Sequence, residues 1–314
     1  MNYVLFGGAG FLGEHLCRRL LRQGNTLLVY GRDTETGRSF AQRYPTIHYI
    51  AGDFAMEMDF GAYLQKGDIV VHLLSTTLPS NMDLAWDLRS NVLATIRLLD
   101  VCVERGVRAV VFVSSGGTVY GVPSNLPIKE SHATDPICSY GIQKLFVEKY
   151  LRYYAHSFRL SYRILRLANP YGAGQDPFRG QGVIAAFLAR ALLERPIEIW
   201  GDGSVVRDYL YIDDAMEALE ALLRYEGVET VFNIGSGRGT SLQEVVAAIQ
   251  NAVKKPIHVE YKEGRKQDVP INVLDVSRAK SELRWKPRVD LYEGILRMKE
   301  SWDEQMQRFV VETP

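Results

Sequence analysis

Three cysteines in 314 residues, Cys17, Cys102 and Cys138, are too widely spaced for a Cys-x-x-Cys site and odd in number, so no disulfide framework is expected. They read as small buried hydrophobes in a reducing compartment. No apolar run reaches the ~18 residues of a membrane span, and no basic segment precedes the strand-like run that begins at Tyr3. The expectation is a cytoplasmic protein, neither inserted in a membrane nor secreted. Charge of one sign is also missing: 37 Lys and Arg stand against 37 Asp and Glu. That balance excludes the broad basic footprint of a nucleic-acid binder and leaves phosphate contacts to local features. The six histidines, His15, His48, His72, His132, His156 and His258, have no ligand spacing to Cys or carboxylates, so no metal is expected. Internal repeats and low-complexity stretches are absent as well.

What the sequence has is a hydrophobic content of 46% and enough length for one large α/β domain with a smaller lobe. β-rich runs at Tyr3–Phe6, Leu27–Tyr30, His48–Ala51, Ile69–Leu74, Ala109–Val113 and Ile164–Ala168 alternate with helical patterns. Phe11–Gln23 and Ser90–Arg105 carry apolar residues at i, i+3 and i+4, so each offers one stripe to a sheet. This is the form of a doubly wound parallel sheet of Rossmann type, covered on both faces. After Asn169 come loops rich in Gly, Pro and Arg, with helices near Val183–Leu193, Asp213–Arg224 and Leu242–Val253. The predicted division is a dinucleotide-binding domain over 1–169 and a smaller substrate lobe over 170–314. The two interleave, because Val231–Gly235 again reads as a buried strand returning to the main sheet.

Gly7-Gly8-Ala9-Gly10-Phe11-Leu12-Gly13 follows the first strand and opens the first helix. Glycines permit a tight turn and close approach to a diphosphate, and the helix start supplies free N–H groups and a positive dipole end. Gly7, Gly10, Phe11, Leu12 and Gly13 are therefore the cofactor-binding candidates. Asp53 and Phe54, after the third strand, are placed to meet the adenine ring; an Asp that caps its own turn is the other reading. At the end of the second strand an acid would hold the ribose 2′-hydroxyl of NAD. The residues there are Gly31, Arg32 and Asp33. A guanidinium suits the 2′-phosphate of NADP, so Arg32 points to NADP, with Asp33 keeping NAD open.

Among 17 tyrosines only Tyr140 has a lysine four residues on, Lys144. On a helix the two share a face, and a cation beside a phenol favours the phenolate that a general base for an alcohol requires. The pair opens a helical segment after the strand ending in Ser114-Ser115-Gly116-Gly117-Thr118-Val119-Tyr120-Gly121.

Together with Leu167-Ala168-Asn169-Pro170-Tyr171-Gly172, Val206-Arg207-Asp208-Tyr209, Phe232-Asn233-Ile234-Gly235-Ser236-Gly237 and Arg265-Lys266-Gln267-Asp268, these segments run in order along essentially the whole chain. The chain resembles the extended short-chain dehydrogenase/reductases, of the NAD-dependent epimerase/dehydratase type, and within them the UDP-glucose (UDP-galactose) 4-epimerase group. The resemblance implies a bound NAD or NADP and a UDP- or dTDP-linked sugar as substrate. It implies that Asn169, Arg207 and Arg265 hold the diphosphate of that sugar and that Asp268 binds its ribose. It also implies a homodimer formed through helices corresponding to Ser90–Arg105 and Tyr140–His156. One departure stands out: members usually carry Ser or Thr where this chain has Gly116, so Ser115 or Thr118 is expected to supply the catalytic hydroxyl. Related 4,6-dehydratases carry Thr-Asp-Glu at Gly116, Gly117 and Thr118, and the missing acids argue against dehydration. Where narrow-pocket members of the group carry Tyr, this chain has Asn272, which predicts spare room beside the sugar C2 substituent and tolerance of a 2-acetamido sugar. Three functions follow for comparison: a nucleotide-sugar 4-epimerase, an NADPH-dependent reductase of a nucleotide-linked 4-keto-6-deoxyhexose, and an inactive dinucleotide-binding regulator suggested by Gly116. Intact Tyr140 and Lys144 weigh against the last.

Overall fold

A computed structural model of the protein describes residues 2–76, 83–264 and 269–312. The chain begins in the middle of a sheet. β1 (Asn2–Phe6) leads through α1 (Phe11–Arg22) to β2 (Thr26–Gly31), then through α2 (Glu35–Arg43) to β3 (His48–Ala51). It crosses back to β4 (Ile69–His72), and continues through α3 (Leu84–Asp87), a π-helical turn over Leu88–Leu93 and α4 (Ala94–Arg105) to β5 (Ala109–Ser115). α5 (Ser139–Phe158) and β6 (Tyr162–Leu167) follow. The seven-stranded sheet has the order β3-β2-β1-β4-β5-β6-β10, where β10 is Val231–Ile234. The pairs from β3 to β5 are parallel. The strand order winds outward in both directions from β1 and β4, the topology whose parallel crossovers, right-handed as a rule, carry helices over both faces of a sheet and make a crevice where the direction reverses.

Local sequence explains the elements. α1 buries Leu16, Cys17 and Leu20 on one face while Arg18, Arg19 and Arg22 remain on the other. Four aromatic rings, Phe6, Tyr30, Phe54 and Phe60, interlock beside β1, with centroids 5.3–5.8 Å apart along the Phe6–Tyr30, Phe6–Phe54, Phe6–Phe60 and Phe54–Phe60 contacts. Such tilted and edge-on packing adds to the area they bury.

The chain divides into two units, one of residues 1–121, 133–166 and 219–232, the other of 122–132, 167–218 and 233–314. Within the second, β7 (Asn169–Tyr171) runs parallel beside β9 (Val206–Tyr211), which also pairs with β11 (Gly239–Ser241) and β13 (Ile271–Asn272). β8 (Ile197–Trp200) and β12 (Val259–Lys262) form a separate parallel pair. Of the helices α6 (Val183–Leu192), α7 (Ile212–Leu223), α8 (Leu242–Val253), α9 (Ser277–Glu282) and α10 (Leu291–Glu312), α8 packs on both α6 and α10. α8 starts at a capping box: Ser241 Oγ accepts the Glu244 N–H at 3.1 Å and Glu244 accepts the Ser241 N–H at 2.7 Å. Cys17 and Cys102 are buried and Cys138 half-buried, all three as free thiols. Among the described residues no helix is long and apolar enough to cross a membrane, and no cluster of three or more His, Cys, Asp or Glu is arranged to hold a metal.

Candidate active site

β1 hands the chain to a turn at Gly7, whose φ of +88° is left-handed and whose missing Cβ would lie 3.0 Å from the Leu74 backbone nitrogen. A side chain is excluded there twice, by the dihedral and by space. Gly10 is the N-cap of α1 and offers no side-chain cap; the first helical bond runs from the Glu14 N–H to the Gly10 carbonyl at 2.8 Å. The N–H groups of Phe11, Leu12 and Gly13 precede it and point out of the helix start. At Gly13 a Cβ would stand 2.4 Å from Gly8 Cα, so only glycine lets the helix sit directly on the turn. Three uncapped N–H groups over a bare glycine cradle fit a dinucleotide diphosphate.

The other residues expected at the cofactor are placed as follows. Arg32 is exposed after the last residue of β2, and its side chain forms no ion pair with a described residue. Asp33 next to it is taken by Arg38, 2.7 Å away. Asp53 caps its own turn, its Oδ1 accepting the Ala55 N–H at 2.9 Å. Phe54 is 1% exposed, its ring packed in the aromatic core.

Tyr140 and Lys144 lie on the first two turns of α5 and line one cavity with His72, Leu74, Asn91 and Gln143. The Lys144 ammonium lies 5.6 Å from the Tyr140 ring centroid and 4.7 Å from that of Phe112, and Nζ donates to the Val113 carbonyl at 3.0 Å. Burial pushes the Tyr140 phenol up to about 12, with Cys138 adding to the rise. Burial also pulls Lys144 down to about 8, against the opposing pull of Glu148. The sequence reading expected Lys144 to lower the phenol. In the protein alone burial wins instead, because desolvation of the phenol penalises its charged form. Tyr140 therefore starts protonated, and further positive charge is needed to ionise it.

Ser115 ends β5, and the turn after it closes through the Thr118 and Val119 N–H groups on the Ser115 carbonyl, at 3.4 and 3.1 Å. The Thr118 hydroxyl is buried without a hydrogen bond among the described residues, and its backbone lies against Gly141, the neighbour of Tyr140. Both candidate hydroxyls thus sit on the turn beside the start of α5.

A polar wall that sequence reasoning missed holds that start in place. Asn91, in the π-helical turn, accepts the Thr76 N–H at 2.9 Å and donates to Gln143 Oε1 at 2.7 Å. Gln143 donates to Ser139 Oγ at 3.2 Å, and Ser139 donates to the fully buried Asp87 at 2.5 Å. Thr95 spends its hydroxyl proton on the Asn91 carbonyl, so His72 Nε2 is the donor in its 2.9 Å contact with Thr95. Its other nitrogen, Nδ1, is buried with no hydrogen bond among the described residues. Burial, and after it the Lys144 charge, push His72 down to about 3, so it is neutral. No spacing rule links residues on β4, the π-helical turn and α5; only the composition of the turn, with Ser90 and Asn91 in a helical stretch, hinted at it.

The substrate candidates lie in the second unit on three adjacent strands. Asn169 on β7 is in register with Tyr209 and donates to the Asp208 carbonyl at 2.9 Å. Arg207 on β9 donates to the carbonyls of Val206 and Val269, at 3.0 and 2.5 Å. Asn272 on β13 pairs with Arg207 and is completely buried. Arg265 and Asp268 lie outside the described residues. Asp208, beside Arg207, is an anchor that motif reading did not single out. Its carboxylate accepts the N–H groups of Ser236, Gly237 and Leu274 and the Ser236 hydroxyl, at 2.6–3.3 Å.

Comparison with known proteins gives this geometry a setting. The model of the NAD dependent epimerase/dehydratase family matches residues 3–235. The UDP-glucose 4-epimerase of Mycolicibacterium smegmatis is 34% identical over 315 residues, covering 98% of this chain and 100% of that protein. The dTDP-4-dehydro-6-deoxyglucose reductase of Escherichia coli is 32% identical over 299 residues, covering 93% of this chain and 94% of that protein. The crystal structure of Thermotoga maritima UDP-glucose 4-epimerase with UDP-glucose superposes with a TM-score of 0.92 at 33% identity, covering 98% of this chain and 100% of that one. With a family match over well more than half its length and full-length relatives above 30% identity, this chain belongs to the NAD dependent epimerase/dehydratase family of enzymes.

Proposed function

We propose that this protein is a nucleotide-sugar 4-epimerase acting on a UDP-linked hexose, with Tyr140 as the group that takes and returns the proton of the sugar hydroxyl. The observation that carries the reading is that Tyr140 and Lys144 line one cavity of the unit that holds the glycine cradle. Gly7, Gly10, Phe11, Leu12 and Gly13 would hold the diphosphate of NAD. When bound, an oxidised nicotinamide would supply a hydride acceptor, later a donor, and a positive charge in addition to that of Lys144. Lys144 keeps a cation beside the phenol, and the Thr118 or Ser115 hydroxyl donates a hydrogen bond to the reacting oxygen. Asn169 and Arg207 are the described residues that would meet the sugar diphosphate, a role suited to an amide and a guanidinium. The relatives' printed activities support the UDP sugar. Exposed apolar side chains on α5, Ile142, Phe146 and Tyr153, recur at helical spacing and support a homodimer through that face.

The test is Tyr140→Phe. The variant is expected to fold and bind NAD while turnover of UDP-galactose falls about 10²–10⁴-fold, the range for losing a positioned base. Activity near that of the parent would refute the role.

A second reading, an NADPH-dependent reductase of a nucleotide-linked 4-keto-6-deoxyhexose, is favoured by the exposure of Arg32 with no ion pair to a described residue and by the E. coli relative. Mass spectrometry of the dinucleotide released on denaturation separates the two. Stoichiometric NAD supports the epimerase, which restores its cofactor in each cycle; a site empty as purified, with turnover that consumes NADPH, supports the reductase.

A further inference from the structure

Behind Lys144 the first unit buries a charge pair that the proposed chemistry leaves unused. Glu148 and Arg166 are 4% and 6% exposed. Arg166 on β6 grips the Glu148 carboxylate through Nε and a terminal nitrogen, the shortest contact being 2.6 Å. Its other terminal nitrogen donates to the Tyr120 hydroxyl at 2.8 Å, and the guanidinium lies 4.8 Å from that ring's centroid. Ser114 donates to the same carboxylate at 2.5 Å. One carboxylate thus ties β5, α5 and β6 together with the turn that carries Ser115 and Thr118.

Its position relative to Lys144 is specific. Glu148 follows Lys144 by four residues on α5, so the two share a face one turn apart. Their polar ends are anchored to consecutive residues of β5, Lys144 to the Val113 carbonyl and Glu148 to the Ser114 hydroxyl. A buried ion pair is weak evidence for stability, since desolvation offsets much of the attraction. A pair retained beside a working ammonium therefore invites a functional account. We propose that Glu148 and Arg166 form a positioning pair for Lys144, Glu148 keeping its ammonium charged and in place and Arg166 moderating that negative charge.

Among the described residues, the titratable and charged groups facing Lys144 are few. Tyr140 and Glu148 come from α5 and His72 from β4, with Arg166 on β6 beyond Glu148; Phe112 and Val113 of β5 bring none. His72 is neutral over the working range. The sign of any shift in Lys144 is then set by the pair. Removing the Glu148 charge leaves a buried cation nearby and lowers the Lys144 pKa. Removing the Arg166 charge leaves a buried anion and raises it. A clamp acting only through shape would not produce opposite signs.

The inference rests on the reading of Tyr140 and Lys144 as partners, and its test reads Lys144 directly, so the two fail separately. In the intact protein without substrate, the pKa of Lys144 is measured from the pH dependence of trace acetylation, quantified on the Lys144 peptide by mass spectrometry. Glu148→Gln is expected to move it down and Arg166→Gln up, each on the order of one pH unit, while Ser114→Ala leaves it in place. The alkaline limb of kcat should move in the same directions. Thermal unfolding establishes that each variant is folded. Should Glu148→Gln fail to fold, Arg166→Gln decides, because only an upward shift is compatible with the proposal. Shifts of the same sign, or none in folded variants, overturn it even if Tyr140→Phe is inactive.

Discussion

Both units of the molecule bury carboxylates, and two of these, Glu148 and Asp208, are satisfied in different ways. Glu148, in the first unit, is held by side chains: a bidentate guanidinium and a serine hydroxyl from two neighbouring strands. Asp208, in the second, is held by backbone N–H groups of the loop after β10 and of Leu274, with one serine hydroxyl. An ionic partner fixes where a charge stands relative to other charges. A ring of backbone donors fixes where a loop runs. Near Tyr140 and Lys144 the first kind of control is the useful one; beside Arg207 and Asn169 the second is.

The contrast is easiest to break at Glu148. Replacing it with Ala leaves the Arg166 guanidinium buried without its counter-ion, so urea unfolding should show a loss of about 3–5 kcal/mol. Asp208→Asn should cost less, about 1–3 kcal/mol, because the amide keeps one acceptor oxygen and turns an NH₂ toward backbone donors. If the two losses were equal, the distinction between ionic and backbone satisfaction would have no energetic content.

Buried neutrality completes the comparison. His72 is held near 3 in the folded protein, whereas an unfolded histidine titrates near 6.5. Between those values the unfolded chain takes up a proton that native His72 refuses, so stability rises with pH and is lost as pH falls below about 6.5, with a slope of at most about 1.4 kcal/mol per pH unit. Unfolding free energies measured from pH 4 to 7 should show this slope reduced in His72→Gln. The smallest effect belongs to an exposed charge: Arg32→Ala should leave stability unchanged and weaken NADP by roughly tenfold while sparing NAD. Isothermal titration with both dinucleotides checks it, and equal losses would remove Arg32 from cofactor choice.

Much of this was legible in the sequence for reasons that are local. The alternation of β-rich and amphipathic runs prescribes a sheet covered by helices, because each periodicity leaves one apolar face to bury. Gly7 to Gly13 prescribe the cradle, since the residue type follows from the backbone that the turn requires. Tyr140 and Lys144 could be paired because four residues on a helix bring them to one face. Asp53 reads both as an adenine contact and as a turn cap, and its carboxylate does close its own turn; the burial of the Phe54 ring in the core is not readable from its position after a strand.

What the sequence by itself determined is what one segment settles within a turn or two: helix faces, strand alternation, glycine turns and the Tyr140–Lys144 spacing. The protonation state of Tyr140, the neutrality of His72, the wall from Asp87 to Gln143 and the pairing of Glu148 with Arg166 were decided only by the tertiary structure. Their partners are brought together from separate elements by sheet order, and a group's charge depends on how completely those elements exclude water around it. Desolvation belongs to the packed surroundings, and no single segment carries it.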